Sequence, residues 1–165
     1  MQSKKPTLTL VCGLPGSGKT TVAKQLAKER DAFRLSPDEW IHRIIEVTAN
    51  QIDLDRLRDP IEELQWDIVM ELLHHNVDVI LEWGFWSKQE RVALSGLARD
   101  AGASVDLCFL DIPIDELWRR ISKRNANLSP GTFAVTKENL ELWSKTFEPP
   151  SEEELKTYER WKRIT

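Results

Sequence analysis

The sequence is poor in cysteine and in long hydrophobic runs. Its two cysteines, Cys12 and Cys108, lie in apolar strand-like runs without the further ligands that a zinc site needs, so we expect buried free thiols in a reducing compartment. The longest apolar runs, such as 77–81, are far shorter than a membrane span, and the first six residues lack the apolar stretch of a secretory signal. We therefore expect a cytoplasmic protein with no membrane partner.

An excess of positive charge is also missing. The net charge of −4 gives no basic surface for extended nucleic-acid binding, although a short basic patch at one site stays compatible with it. The three histidines show no metal-ligand spacing, and no internal repeat is visible. With 165 residues, of which 41% are hydrophobic, the chain is expected to form one domain over 1–165, as a monomer or a homodimer.

One motif is present in full. A strand-like run, 7–12, is followed by a glycine-rich loop and then by a helix-forming run, 21–28. The loop has every fixed position of the phosphate-binding P-loop: Gly13, Leu14, Pro15, Gly16, Ser17, Gly18, Lys19 and Thr20. Backbone N–H groups of such a loop and the following helix N-terminus attract phosphate, Lys19 can reach the β- and γ-phosphates, and Thr20 can ligate Mg²⁺. The sequence therefore predicts a nucleoside triphosphate site, with Thr21 completing it.

Strand and helix signals alternate through the rest of the chain. We predict strands at about 7–12, 33–36, 77–82 and 104–110, and helices at about 18–29, 37–47, 60–75, 88–100, 114–125 and 137–147. This alternation predicts an α/β fold, a three-layer sandwich around a parallel sheet, with ligands beyond the carboxyl ends of the strands. The last residues, 158–165, are compatible with a helix or with a partly ordered tail.

Three carboxylates follow predicted strands. Asp38 is compatible with a general base beside the γ-phosphate and equally with an acidic first-turn residue that complements the helix dipole. Glu82 and Asp111 are each compatible with a carboxylate on the Mg²⁺ side of the P-loop. Because Asp111 precedes a proline that suits a turn, we favour Glu82 for the metal and a structural role for Asp111.

The predicted helix 114–125 carries basic residues whose directions differ. Its apolar stripe faces the core, Arg119 and Lys123 lie opposite that stripe, and Arg120 and Arg124 flank it, where they could reach the phosphates. A turn-rich segment, 125–136, follows, and we favour a mobile lid at about 120–140 over a plain loop.

Seven tryptophans are many for this length. Trp66, Trp118 and Trp143 lie in helical patterns and are expected in the core. Trp40, Trp83 and Trp86 instead follow strand ends, where their rings could either bind a flat or sugar-like acceptor or close the sheet edge.

Taken together, the motif residues, Asp38 and the pair Arg120 and Arg124 resemble the small P-loop kinases, the group with phage-type polynucleotide 5′-kinase, chloramphenicol phosphotransferase and zeta toxins. The resemblance extends from Leu8 to about Phe147. It implies strand order 2-3-1-4 with a possible fifth strand, Asp38 as general base, and the two arginines at the start of a helical lid. Glu82 departs from the group, which often has Asp there, and the aromatic cluster 83–86 is not general in it.

The resulting functional prediction is transfer of the γ-phosphoryl group of ATP, with Mg²⁺, to a hydroxyl of a sugar-like or aromatic small molecule. Two alternatives remain open. A polynucleotide 5′-hydroxyl kinase fits the resemblance but is disfavoured by the charge, and a nucleotide-dependent switch would use the aromatic cluster as a protein interface.

Overall fold

The computed structural model describes residues 5–44, 51–128 and 134–165. Within them one sheet is built from parallel strands in the order β2-β3-β1-β4-β5. The strands are β1 (Thr7–Cys12), β2 (Phe33–Leu35), β3 (Val79–Gly84), β4 (Ser104–Leu110) and β5 (Arg160–Ile164). The predicted α/β class and the order 2-3-1-4 are confirmed, and the fifth strand extends the sheet beyond β4.

Helices follow the strands in alternation, as the sequence predicts. They are α1 (Lys19–Arg30), α2 (Pro37–Ile44), α3 (Gln51–His74), α4 (Lys88–Asp100), α5 (Ile114–Asn125), α6 (Lys137–Thr146) and α7 (Glu152–Leu155). The end of the helix predicted at 37–47 and part of the predicted lid, 129–133, lie outside the described residues.

The predicted start of the third helix, near residue 60, is wrong. Helix α3 begins at Gln51 and contains Pro60 in its interior. A proline favours a first turn, and inside a helix it removes one backbone hydrogen bond and its ring crowds the preceding turn, at a cost of about 3 kcal/mol. Packing of the rest of the helix can offset that cost, so the proline does not oblige the helix to begin there. The helix is anchored beyond Pro60 by Ile61, Val69 and Leu73, which are buried on one side at helical spacing.

The C-terminal residues form a strand, which corrects the expectation of a helix or tail. Strand β5 pairs with β4 in parallel, and the backbone N–H of Asp111 donates to the carbonyl of Ile164. Arg163 binds the carboxylate of Asp111, and Arg160 lies 3.0 Å from that of Asp106. Because β5 is an exposed and charged edge strand, it lacks the apolar run that marks the inner strands.

The sheet is covered on both faces. Buried side chains of α3, α4 and α7 pack on one face, and Ala23 of α1 packs with Val11 and Ile80 on the other. Cys12 and Cys108 are buried free thiols, as expected. No described helix has the length and hydrophobicity needed to cross a membrane.

Candidate active site

The carboxyl ends of the inner strands open into a cleft of about 370 Å³. The P-loop forms its floor, α2 and α3 contribute one wall, and α5 contributes another. The lining residues are Pro15, Gly16, Gly18, Lys19, Thr20, Asp38, Arg58, Glu82, Trp83, Gly84, Trp86, Arg120, Ile121 and Arg124. Motif residues and residues from distant segments therefore share one concave surface, the position where parallel α/β sheets bind ligands.

The P-loop is held close to its neighbours by its glycines. Gly16 has a φ of 81°, and a Cβ at that position would stand 2.7 Å from Ile121 of α5. Gly13 donates its N–H to the carbonyl of Gly84 at 3.1 Å, which joins the loop to the end of β3. Helix α1 begins directly after Gly18, so its positive N-terminal end meets the cleft.

Two observations fit this loop to a triphosphate. The Ser17 hydroxyl is buried and, within the described part of the chain, has no hydrogen-bond partner. Lys19 donates to the Leu14 carbonyl at 3.0 Å, and its pKa is lowered by burial, although the carboxylates of Asp38 and Glu82 act in the opposite direction. A desolvated ammonium gains from a phosphate beside it.

Glu82 lies on the metal side of the loop. Its buried carboxylate accepts a hydrogen bond from the Thr20 hydroxyl and another from Arg34 at 2.7 Å. A hydroxyl and a carboxylate in contact fit Mg²⁺, which in nucleotide sites uses few protein oxygens together with phosphate oxygens and water. Asp111 instead pairs with Arg163 at the sheet edge and holds β5 in place.

Asp38 lines the cleft from the first turn of α2. Its carboxylate accepts a hydrogen bond from Arg58 of α3 at 2.6 Å. The other end of this guanidinium lies 3.6 Å from Glu62, one helical turn further on. The carboxylate suited to a general base is thus held across two helices by a single arginine.

The side chains of α5 differ in their surroundings. Leu117 and Ile121 are buried, while Arg120 reaches under the P-loop and donates to the Ser17 carbonyl at 3.2 Å. Arg120 also binds Glu116 at 2.7 Å, and Arg124, one turn later, lines the cleft. Both are guanidinium groups beside the phosphate loop, where they can neutralise phosphoryl oxygens.

The described residues on either side of the segment after α5 are hydrogen-bonded to each other. The Asn125 side chain donates to the Val135 carbonyl at 2.8 Å and accepts from the Val135 N–H at 3.2 Å. Leu140 of α6 packs against Leu117 and Ile121, so α6 folds back on α5.

The three aromatic candidates separate in space. Trp86 lines the cleft and lies across Gly84, since a Cβ there would stand 2.9 Å from the indole nitrogen. Trp83 is nearly buried in β3, donates to Gln65 at 2.9 Å and also borders the cleft. Trp40 packs against the core and is not among the described residues that line the cleft.

The loop after β3 that carries Trp86, here called the Trp86 wall of the cleft, is held by a buried arginine. Arg91 is fully buried and donates to both oxygens of Glu154, at 2.6 and 2.9 Å. It also donates to the carbonyls of Phe85, at 2.9 Å, and Glu148, at 2.8 Å. Arg91 thereby ties the loop after β3 to the segment before α7, where the Glu148 N–H also donates to the Trp86 carbonyl at 2.8 Å.

Sequence reasoning did not identify Arg34, Arg58 or Arg91 as site residues. Arg58 precedes the predicted start of its helix, but its spacing of four from Glu62 was a readable sign of an ion pair on a helix. Arg34 lies in a three-residue strand and Arg91 in an ordinary helical pattern. No local signal marks their place at the site, because the carboxylates that they bind there, Glu82 and Glu154, are distant in sequence.

Known proteins resemble this chain in sequence and in fold. A family model described as an AAA domain matches residues 8–150. A shikimate kinase of Corynebacterium jeikeium (strain K411) is 32% identical over 121 residues, which is 73% of this chain and 60% of that protein. The chain therefore spans less than two thirds of the length of that relative.

Two solved structures are similar over nearly the whole chain. A protein of Chloroflexus aurantiacus j-10-fl matches with a TM-score of 0.76 at 19% identity, over 98% of this chain and 88% of that one. Kti12 of Chaetomium thermophilum, crystallised with ADP-AlF3, matches with a TM-score of 0.69 at 18% identity, over 96% of this chain and 88% of that one. At these identities the similarity shows the fold, which is that of the P-loop kinases.

Proposed function

Because the chain belongs to the AAA-domain family of P-loop proteins and has the kinase form of that fold, we propose that it transfers the γ-phosphoryl group of ATP to a hydroxyl of a sugar-like or aromatic small molecule. The observation that carries this proposal is the position of Asp38, which lines the same cleft of about 370 Å³ as Lys19 and Thr20. An acceptor bound there would have a carboxylate on one side and the phosphates on the other.

In this proposal each residue of the site has its own role. The P-loop, with Thr21 following it, binds the triphosphate, and Lys19 neutralises its β- and γ-phosphates. Arg120 and Arg124 neutralise the phosphoryl oxygens from α5 and begin the proposed lid. Asp38 accepts the proton of the acceptor hydroxyl as the oxygen–phosphorus bond forms and the bond to ADP breaks.

Thr20 and Glu82 would hold Mg²⁺, since their oxygens are in contact beside the P-loop. Bound Mg²⁺ would neutralise charge on the phosphates. Arg34 orients the Glu82 carboxylate from its far side through a 2.7 Å bond.

The concave setting of the aromatics supports a kinase over a switch. Trp86 and part of Trp83 line the cleft together with Asp38 instead of forming a convex patch. Their rings are suited to a flat or sugar-like acceptor at its outer end. The net charge of −4 favours a small acceptor over a nucleic-acid end.

The test is ADP release with Mg²⁺ and a panel of hydroxyl acceptors. The panel contains sugars, cyclic polyols, nucleosides, aminoglycosides, phenols and a 5′-hydroxyl oligonucleotide. We expect one class to stimulate ADP release and Asp38→Asn to lower that stimulated rate by roughly 10²- to 10⁴-fold, with ATP affinity nearly unchanged. Asp100→Asn, at the far end of α4, is the matched control.

Two outcomes would contradict the proposal. Slow ADP release that ignores every acceptor and Asp38 would indicate a nucleotide-dependent switch. A large loss of ATP affinity in Asp38→Asn would instead assign this carboxylate to the metal or to the structure of the loop.

A further inference from the structure

A second cavity, of about 420 Å³, lies outside the cleft. It is lined by Glu62, Glu63, Trp66, Asp67, Trp83 and Leu94, which come from α3, the end of β3 and α4. Trp83 also lines the cleft, so one residue borders both cavities. A molecule in the cleft therefore has a neighbouring compartment directly beside it.

The aromatic walls of this second cavity meet at an angle. The rings of Trp66 and Trp83 have centroids 6.3 Å apart and planes inclined by 66°. The indole N–H of Trp83 is already donated to Gln65, so this residue offers the cavity a ring and no free polar group. Indole faces attract cations, and organic ammonium groups most of all when carboxylates stand near.

The charged residues that line the second cavity are all acidic. Its lining contains Glu62, Glu63 and Asp67 and no lysine or arginine among the described residues. The nearest cation, Arg58, lies 3.6 Å from Glu62 but is engaged more closely by Asp38, at 2.6 Å. Negative charge is thus left without a full counter-charge beside two indoles.

The ionisation of Glu62 reflects its burial and the carboxylates near it. Its pKa is raised to about 7, first by burial and further by Glu90 and Asp59, while Arg58 acts in the opposite direction. A carboxyl group in this condition gains from any additional cation that approaches it.

The two cavities have opposite charge and are linked. Lysine and arginine side chains predominate around the cleft, and carboxylates around its neighbour. The chain of contacts from Asp38 through Arg58 to Glu62 connects them, so a group at Glu62 stands one guanidinium away from the proposed base. A small molecule with a hydroxyl at one end and a positive charge at the other matches both.

We propose that the second cavity binds the ammonium group of an organic cation and, resting on the proposed function, that this cation is part of the acceptor whose hydroxyl lies at Asp38. Trp66, which is only partly buried, holds it by its ring, with the nearly buried Trp83 packed behind. Glu62 and Asp67 supply the counter-charge. The phosphoryl-transfer step is unchanged, with the proton passing to Asp38 and ADP leaving.

The first experiment measures binding alone, by calorimetry on the intact protein at pH 8. The probes are tyramine and its neutral counterpart tyrosol, which differ only in an ammonium in place of a hydroxyl. We expect tyramine to bind about tenfold more tightly than tyrosol. Equal affinities, or no binding of either probe, would overturn the proposal.

Variants then locate the probe. Glu62→Gln combined with Asp67→Asn should lower tyramine affinity about tenfold, to that of tyrosol, and leave tyrosol binding as it was. Asp67→Asn alone, at an exposed position, gives a smaller loss in the same direction and guards against misfolding of the double variant. Glu71→Gln removes the same charge from an exposed position of the same helix outside the cavity and should change nothing. Unchanged tyramine affinity in the double variant would place the cation elsewhere and overturn the proposal.

Measurements of acceptor-stimulated turnover distinguish this inference from the proposed function. Among acceptors that stimulate ADP release, those with an ammonium group should have the lower KM. Asp67→Asn, which leaves the contact of Glu62 with Arg58 in place, should raise that KM severalfold without lowering kcat. Stimulated turnover that ignores the ammonium and the variant overturns the subsite and leaves the kinase standing. Tyramine binding at Glu62 with no acceptor-stimulated turnover overturns the kinase and, with it, the assignment of the cation to the acceptor.

Discussion

The cleft has a phosphate side, formed by the P-loop and α5, and a proposed acceptor side, formed by α2, α3 and the loop after β3. These two sides are built in different ways. On the phosphate side Lys19 bonds to Leu14, five residues away, and Arg120 is paired with Glu116 in its own helix. On the acceptor side Asp38 is held from 20 residues away and Arg91 joins segments 63 residues apart. These contacts of the P-loop and of α5 are thus local in sequence, although Thr20 and Arg120 also reach distant partners, Glu82 and Ser17. The contacts of the acceptor side form only when the sheet has assembled.

Two carboxyl groups show how the environments differ. Glu116, on the phosphate side, accepts bonds from Arg119 and Arg120, which lower its pKa to about 2. Glu62, on the acceptor side, is raised to about 7 by burial and by neighbouring carboxylates. The carboxyl group on the phosphate side is therefore ionised and paired, whereas the one on the acceptor side is half protonated near pH 7. We therefore expect substitutions on the phosphate side to lower turnover and substitutions on the acceptor side to lower stability.

The largest effect is expected from breaking the phosphate side at Arg120. We expect Arg120→Ala to lower kcat on the order of 10³-fold, about 4 kcal/mol of transition-state stabilisation, because a guanidinium near the phosphoryl oxygens acts mainly in the transition state. Its neighbour Arg119→Ala is the control, since it also binds Glu116 but is exposed away from the cleft. Steady-state kinetics with Tm for both variants is the measurement, and normal turnover in folded Arg120→Ala would refute the assigned role.

The next effect comes from the scaffold of the acceptor side. Arg91→Met should lower the free energy of unfolding by about 3 kcal/mol, because it leaves the Glu154 carboxylate buried and unpaired. Adding Glu154→Met should restore part of that loss, but not all of it, since the carbonyls of Phe85 and Glu148 also lose their donor. Urea unfolding measures both. A single variant as stable as the parent would show that this network does not hold the Trp86 wall.

A smaller effect is expected from pH at Glu62. Its pKa rises from 4.5 in the unfolded chain to about 7 in the folded one, so the folded state binds more protons between these values. Stability should therefore fall as pH rises through this window, by at most about 3 kcal/mol from this group, since the side chain is partly exposed, and then level off. Because other carboxyls titrate too, the measurement is the difference between the parent and Glu62→Gln, which should be relatively more stable at pH 8. Parallel stability curves would contradict the raised pKa.

The smallest effect tests whether sequence separation alone makes a contact important. Arg163 reaches Asp111, 52 residues away, but it does so at the exposed edge of the sheet. We expect Arg163→Ala to shift Tm by about 1–2 °C at most, because water screens exposed ion pairs. A loss as large as that of Arg91→Met would mean that distance along the chain, and not burial, distinguishes the two sides.

Residues 7–20 and the alternation that follows them were enough to predict the α/β class, the nucleotide loop and the inner strands. These features arise from contacts between near neighbours: apolar runs that must be buried, glycines that allow a tight loop, and side chains spaced by the helical turn. For the same reason the sequence predicted which face of α5 would carry Arg120 and Arg124. Placement of Asp38 and Glu82 beside the loop follows from parallel strands, whose carboxyl ends meet at one edge.

Tertiary structure alone decided the rest. Strand β5 is charged and exposed and gains its hydrogen bonds only from β4, so no apolar pattern marks it. Arg34, Arg58 and Arg91 acquire their roles from partners that are brought near only by folding, and the separation of Trp86 from Trp40 and Trp83 follows from packing. Local patterning specifies backbone and motif because its contacts are short in sequence. The acceptor side rests on buried charge and long-range contacts, whose energies depend on what surrounds them after the chain has closed.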